Sequence, residues 1–141
     1  VTNLPGDIAL EGVLVQKMAP QGIEMIAGIA RDETFGPLVM VGFGGTEVEN
    51  QRDVAWAPAP FGEARARALI HSLNASARLD GGARARPADI GALARLLAQL
   101  SLFAARNRDR IDELDLNPVV LYEEGLMALD ALIVTRDNTG E

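Results

Sequence analysis

Cysteine is absent from the 141-residue chain, and histidine occurs only once, at His71. The first absence excludes a disulfide scaffold, a thiolate-bound metal and a cysteine nucleophile. The second excludes a zinc centre built from clustered imidazoles. No run approaches the roughly 18 uninterrupted apolar residues of a membrane-crossing helix. Val1-Thr2-Asn3-Leu4-Pro5-Gly6 has neither the basic stretch nor the apolar core of a secretory signal. A cytoplasmic location with no membrane partner is therefore expected. An initiating Met is missing too, which fits a piece excised from a longer protein. Positive charge is also scarce: 13 Lys and Arg against 20 Asp and Glu leave a net charge of −7. Phosphate backbones select basic surfaces, so no nucleic-acid partner is expected. The clustered Arg65, Arg67, Arg78, Arg84 and Arg86 read as a solvated face.

What is present is ordinary for one globular domain with one core: 48% hydrophobic and 23% charged residues. Val13-Leu14-Val15-Gln16 is a short β-branched run that predicts a strand, ended by the turn formers from Lys17 to Gly22. Glu24–Arg31 and Leu38–Val41 predict two more strands joined as a hairpin through Asp32–Pro37. A further strand is expected at Asp53–Ala57, ended by Pro58 and Pro60. Ala66, Leu69, Ile70 and Leu73 recur at helical spacing. Leu79–Arg86 reads as a Gly/Arg loop. Pro87 then opens a longer helix, with Asp89 in its first turn and Ile90, Leu93, Leu97, Leu100 and Ala104 along its apolar face, flanked by Leu96 and Phe103. The chain closes with a hairpin of Leu114–Leu121 and Leu126–Val134. Strands, two helices, then strands give no regular β–α–β alternation. The expected fold is therefore α+β, a mostly antiparallel sheet with both helices on one face.

The chemistry centres on Glu113-Leu114-Asp115-Leu116-Asn117-Pro118 and on Asp130. Alternation along a strand puts Glu113, Asp115 and Asn117 on one face and Leu114 and Leu116 on the other. A four-residue loop at Tyr122–Gly125 pairs Leu121 with Leu126, which sets Asn117 opposite Asp130. An amide and a carboxylate so placed, with Asp115 one step along, make a hard-cation site of the kind Mg²⁺ uses, and Mg²⁺ keeps the rest of its sphere for water and nucleotide phosphates. The plainer reading makes the acids the solvated side of an edge strand that Pro118 ends. Against it, Asp130 interrupts an apolar run and needs a cation or hydrogen-bond donors there.

Other features carry less. Gly42-Phe43-Gly44-Gly45 can let backbone approach a phosphate closely, yet it is not GxGxxG, and taken alone it reads better as a simple turn. His71 lies off the apolar stripe, Lys17 reads by default as a surface lysine, and Trp56 and Tyr122 are expected to pack. Ser72 and Ser101 have no base at recognisable spacing, so a catalytic triad has no support.

Taken in order, several segments carry a family pattern. They are Gly12–Met18, Gly22-Ile23-Glu24, Phe35-Gly36-Pro37, Gly42–Glu49, Asp53-Val54, Glu113–Pro118 and Leu129-Asp130-Ala131. The series resembles the C-terminal part of the ATP-grasp domain of NDP-forming acyl-CoA synthetases, relatives of the succinyl-CoA synthetase β subunit. The resemblance implies that residues 1–141 are the large ATP-grasp subdomain, a fragment of a longer protein. Val13–Met18 would carry the last strand of the small subdomain and a hinge at Gln16, Lys17 and Met18 whose backbone reads the base, with Glu24 near the nucleotide. Asn117 and Asp130 match Mg²⁺ ligands. Asp115 matches an acid that meets a phosphohistidine from a partner domain. Implied cofactors are Mg²⁺ and ATP or GTP. Implied partners are CoA-binding and phosphohistidine domains of the same protein or complex, CoA and a carboxylic acid, within an oligomer. The implied reaction is reversible acyl-CoA formation through an acyl phosphate and the phosphohistidine, by a protein of which this part alone is inactive. Gly82-Ala83-Arg84-Ala85 departs from the relatives' Gly-x-Arg-Gly, which leaves Arg84 without a role. The competing reading is a regulatory nucleotide-binding module, as in a synthetase-like protein lysine acetyltransferase.

Overall fold

The computed structural model describes residues 12–45, 53–81 and 86–136. Strands β1 (Ile23–Asp32), β2 (Gly36–Phe43) and β3 (Val54–Pro58) come first, followed by α1 (Glu63–His71), a 3₁₀ turn at Ser76–Asp80 and α2 (Ile90–Arg106). Strands β4 (Ile111–Leu121), β5 (Leu126–Ala128) and β6 (Ala131–Thr135) close the chain. All pairings are antiparallel, in the order β3-β2-β1-β4, with β5 and then β6 pairing successive stretches of the outer edge of β4. The architecture is α+β, as expected.

Alternation explains the layers. Met25, Ala27 and Ile29 of β1, Val39, Val41 and Phe43 of β2, and Ala57 of β3 point to one side and are buried. There they meet Ala66, Leu69 and Ile70 of α1, Leu73 beyond it, and Leu93, Leu97, Leu100 and Ala104 of α2 in one cluster. The opposite side of the sheet has no helix over it among the described residues. Ser101, fully buried within α2, is satisfied by Phe61: its hydroxyl accepts the Phe61 N–H at 2.6 Å and donates to the Phe61 carbonyl at 3.0 Å. It is a structural residue rather than a nucleophile.

Asp89 is the N-cap of α2 rather than a first-turn residue. Its Oδ1 accepts the Ala92 N–H at 2.8 Å and its Oδ2 accepts the Gly125 N–H at 2.9 Å, while its own N–H donates to the Tyr122 carbonyl at 2.8 Å. One carboxylate therefore fastens the helix start to the β4–β5 turn. The Gly125 N–H, then that of Ala92, hold its pKa below the ordinary carboxylate value.

Several expectations need correction. Val13–Gln16 forms no strand, because no other described segment lies alongside to pair its backbone, and Val15 is left 89% exposed. Leu79 is not in a loop. It lies within the 3₁₀ turn Ser76–Asp80 and is fully buried, with its side chain in the core cluster. Leu126–Val134 is two strands, interrupted at Leu129-Asp130. Trp56 does not pack: it sits on the uncovered side of β3, opposite Met40, and is 46% exposed. Tyr122 is half-buried, with its hydroxyl 3.4 Å from the Pro20 carbonyl. Arg84 and the Thr46–Glu49 part of the glycine motif lie outside the described residues.

Two outcomes follow. Leu97→Ala, which empties a fully buried site, lowers unfolding free energy by about 2–5 kcal/mol in denaturant titration. Asp89 titrates below its unfolded value, so its contribution is present above that value and fades as pH falls through the folded pKa. In acid unfolding, Asp89→Asn then flattens the loss of stability below about pH 4 relative to the native chain.

Candidate functional site

The site is built on the bare side of the sheet, and β4 is its spine. From Leu121↔Leu126 through Val119↔Ala128 to Leu116↔Ala131 and Leu114↔Ile133, the outer partner keeps one continuous register. Asn117 therefore stands directly opposite Asp130, and its N–H donates to the Asp130 carbonyl at 3.3 Å. The sequence-based pairing is the one observed. Side chains opposite one another across an antiparallel pair have Cβ atoms about 4.5–5.5 Å apart, close enough to share an ion.

The edge-strand reading of β4 does not survive. The strand is internal, with β1 on one side and β5 and β6 on the other. Pro118 is tolerated because of a bulge. Met25 pairs with Val119 and Ala27 with Leu116, so Asn117 and Pro118 together face the single residue Ile26. A proline has no N–H for a ladder, and a bulge is where that lack matters least. The bulge also changes the parity of the strand. Leu114 and Leu116 face the helices before it, and Val119 and Leu121 face them after it. Two residues are thus spent on the uncovered side where one would normally stand, which re-aims Asn117 and leaves an irregular stretch beside Asp130.

The remaining site residues sit around that irregularity. Asp115 pairs with Gly28 on one side and Leu132 on the other. A Cβ at Gly28 would lie 2.8 Å from the Leu114 carbonyl oxygen and 3.9 Å from Asp115 Oδ1, so this glycine keeps the floor next to Asp115 open. Glu24, on the same side of β1 as Gly28, pairs with Val120 and lies about 13 Å further along. Over it comes the end of the glycine run. The Gly44 N–H donates to the Glu24 carbonyl at 2.8 Å, and Gly45 adopts φ +90 where a Cβ would come within 3.4 Å of Glu24 Oε2. Gly42 and Phe43 belong to β2, so the run is a strand end packed on Glu24 rather than a free turn. Gln16, Lys17 and Met18 are not gathered into the site. They are exposed in the irregular stretch before β1, Met18 at 87%.

Glu24, Glu113, Asp115 and Asp130 form no ion pair with another described residue; those that do occur involve Glu123, Asp89, Asp109 and Asp112. Asp130 is exposed, and the hydrogen bond found for its carboxylate is the one it accepts from the adjacent Ala131 N–H, at 2.8 Å. Oxygen donors with free lone pairs on a negative surface suit a hard cation. Among the described residues no three Asp, Glu and His side chains converge to hold one. A cation here would take Asn117 and Asp130 from this chain and complete its sphere with water or phosphate, the habit of Mg²⁺ rather than of a closed protein cage.

Gly28 was not singled out in the sequence, although a glycine in mid-strand is a signal for close approach. Trp56 was expected to pack, because nothing in its local pattern tells a covered sheet face from a bare one.

The arrangement is an antiparallel sheet with helices behind it and acids and an amide in front. An ATP-grasp domain model matches residues 1–135, and the chain belongs to that family. It is 40% identical over 125 residues to ADP-forming acetate–CoA ligase I of Archaeoglobus fulgidus, covering 89% of this chain and 18% of that protein. To the β subunit of ADP-forming acetate–CoA ligase I of Pyrococcus furiosus it is 36% identical over 132 residues, 94% of this chain and 56% of that subunit. The chain thus spans little more than half, or far less, of these relatives. Among solved structures it resembles acetyl-coenzyme A synthetase 1 of Ca. Korarchaeum cryptofilum, bound to coenzyme A and Mg-AMPPCP with its phosphohistidine segment pointing towards the nucleotide site. That match has a TM-score of 0.78 and 41% identity, and covers 84% of this chain and 55% of the other.

Gly28→Ala forces a methyl against the Leu114 carbonyl. Chemical unfolding is expected to show a loss of about 1–3 kcal/mol, the range for overpacking a closed site.

Proposed function

We propose that this chain is the C-terminal part of the ATP-grasp domain, the nucleotide- and magnesium-binding part, of an ADP-forming acyl-CoA ligase. The single observation that carries the reading is the unbroken hairpin register, which sets Asn117 against Asp130 with Asp115 two residues from Asn117 on the same bare face. The relatives support the ligase over the regulatory module, because several that match across most of this chain are ADP-forming acetate–CoA ligases by name.

In this reading Asn117 and Asp130 hold Mg²⁺ through their side-chain oxygens. Bound there, the ion would supply positive charge that offsets the charge developing on the nucleotide phosphates. Glu24, under Gly44 and Gly45, faces the nucleotide. The exposed Gln16–Met18 backbone supplies the hinge that reads the base, with ATP favoured over GTP by the adenine analogue bound to the Korarchaeum relative. Asp115 accepts a hydrogen bond from the imidazole of a phosphohistidine brought in by a partner domain, which orients the ring and stabilises its positive charge. The open floor at Gly28 leaves room for that approach. CoA and the carboxylic acid bind elsewhere in the full protein, an oligomer, and the fragment alone is inactive.

Titration calorimetry of Mg-ATP into the full protein tests the assignment. Asp130→Ala is expected to weaken binding at least tenfold in Mg²⁺, consistent with loss of one charged ligand worth about 1.5–3 kcal/mol. Equal affinity of the two proteins would overturn the metal site. Asp115→Asn should instead leave Mg-ATP affinity within about twofold while slowing phosphoryl transfer to the histidine by about 10²-fold or more, read by single-turnover labelling.

A further inference from the structure

The segment between α1 and α2 touches the end of β2 and the start of β3 at two points. The first is Phe43, the last residue of β2. Its ring is buried, and the Arg78 guanidinium lies over it with its carbon 5.0 Å from the ring centroid. The second is Asp53, just before β3. Its Oδ1 accepts the Asn74 backbone N–H at 2.8 Å and the Asn74 side-chain amide at 3.2 Å, and its Oδ2 accepts the Ala75 N–H at 2.8 Å. These two points adjoin, for the Phe43 N–H donates to the Asp53 carbonyl at 3.3 Å. They are the feet of the connection that leaves β2 at Gly44 and returns at β3. Beyond the first foot, Gly44 and Gly45 lie on Glu24.

Neither contact is needed to close the core. Arg78 is exposed, and Asp53 is half-buried at the sheet margin. Both place a charge where its geometric effect falls on the feet. A carboxylate that takes three N–H groups holds its backbone firmly, because hydrogen bonds to an ionised acceptor are the strong ones. A guanidinium over an aromatic face adds an attraction that a neutral side chain cannot supply.

We propose that Asp53 and Arg78 are positioning residues of the nucleotide site, clamping the two feet of the β2–β3 connection so that Gly44 and Gly45 stay seated on Glu24. This inference rests on the nucleotide reading above. It assigns the stretch Asn74–Arg78, which touches no proposed ligand, the task of holding the glycines in place. Loosening the clamp lets the glycine backbone drift from Glu24 and weakens nucleotide binding without altering sites for CoA or acid.

The test uses the full protein and three variants, Arg78→Leu, Arg78→Lys and Asp53→Ala, with Mg-ATP affinity by calorimetry and KM for CoA and for the acid. Arg78→Leu is expected to weaken Mg-ATP binding about threefold to tenfold, the range of one cation–π contact. Arg78→Lys, which keeps a cation over the ring, recovers most of that loss. Asp53→Ala weakens binding at least as much, and neither KM for CoA nor KM for the acid moves. If Arg78→Leu binds Mg-ATP like the native protein, if Lys fails to rescue it, or if KM for CoA rises in parallel, the clamp is wrong. Should Asp53→Ala fail to fold, the two Arg78 variants still decide. A native protein that binds no Mg-ATP refutes the nucleotide reading itself, whereas native binding with unaffected variants refutes only the clamp.

Discussion

Everything at the site depends on the register of one hairpin. Leu121 and Leu126 adjoin the turn and pack towards the helices, and from them the pairing runs without a slip to Leu114 and Ile133. A shift of one residue would turn every side chain of the outer strand to the other face. It would also move Asp130 away from Asn117. The turn at Tyr122–Gly125, closed by the Tyr122 N–H donating to the Gly125 carbonyl at 3.1 Å, fixes that register and so holds the polar pair in place. Asp89 adds to this. By capping α2 and accepting the Gly125 N–H, it makes the start of the helix and the hairpin turn a single unit.

The bulge at Asn117-Pro118 is the second constraint, and it works with the first. On the outer side β4 keeps its register from Glu113 to Leu121, whereas on the inner side two of its residues face Ile26 alone. The strand can therefore bury even-numbered leucines before the bulge and odd-numbered residues after it. The local irregularity falls at the amide opposite Asp130, where the outer strand is interrupted too. Placing irregular backbone inside a rigid sheet gives a site both freedom and fixed position.

The two faces of the sheet differ in a way that matches the partial coverage of the relatives. Behind it, two helices form a packed core. In front, Trp56, Met127, Leu132 and Val134 stand in solvent among the acids. Apolar side chains of this size, gathered on one face, are typical of surfaces that meet something else. The chain spans 56% of the Pyrococcus subunit, so a substantial part of such a protein lies beyond the segment described.

Much of this was legible in the residues, for a local reason. Alternation, helical spacing and turn length are set by neighbours in the chain, so the strands, both helices, the two-layer arrangement and the pairing of Asn117 with Asp130 could all be read from spacing. Where the reading went astray, the deciding partner was distant in sequence. Val13–Gln16 has the composition of a strand but no neighbour to bond with among the described residues. Pro118 looked like a strand end until β1 supplied a bulge to hold it. Trp56 looked like core, yet none of the described residues covers its side of the sheet, and Asp89 gained its second role only when the turn at Gly125 came within reach. Periodicity along the chain thus settled which elements form and which residues share a face. Long-range packing alone decided which faces are covered, which strands are internal and which acids remain unpaired, because burial and pairing depend on groups that only folding brings together.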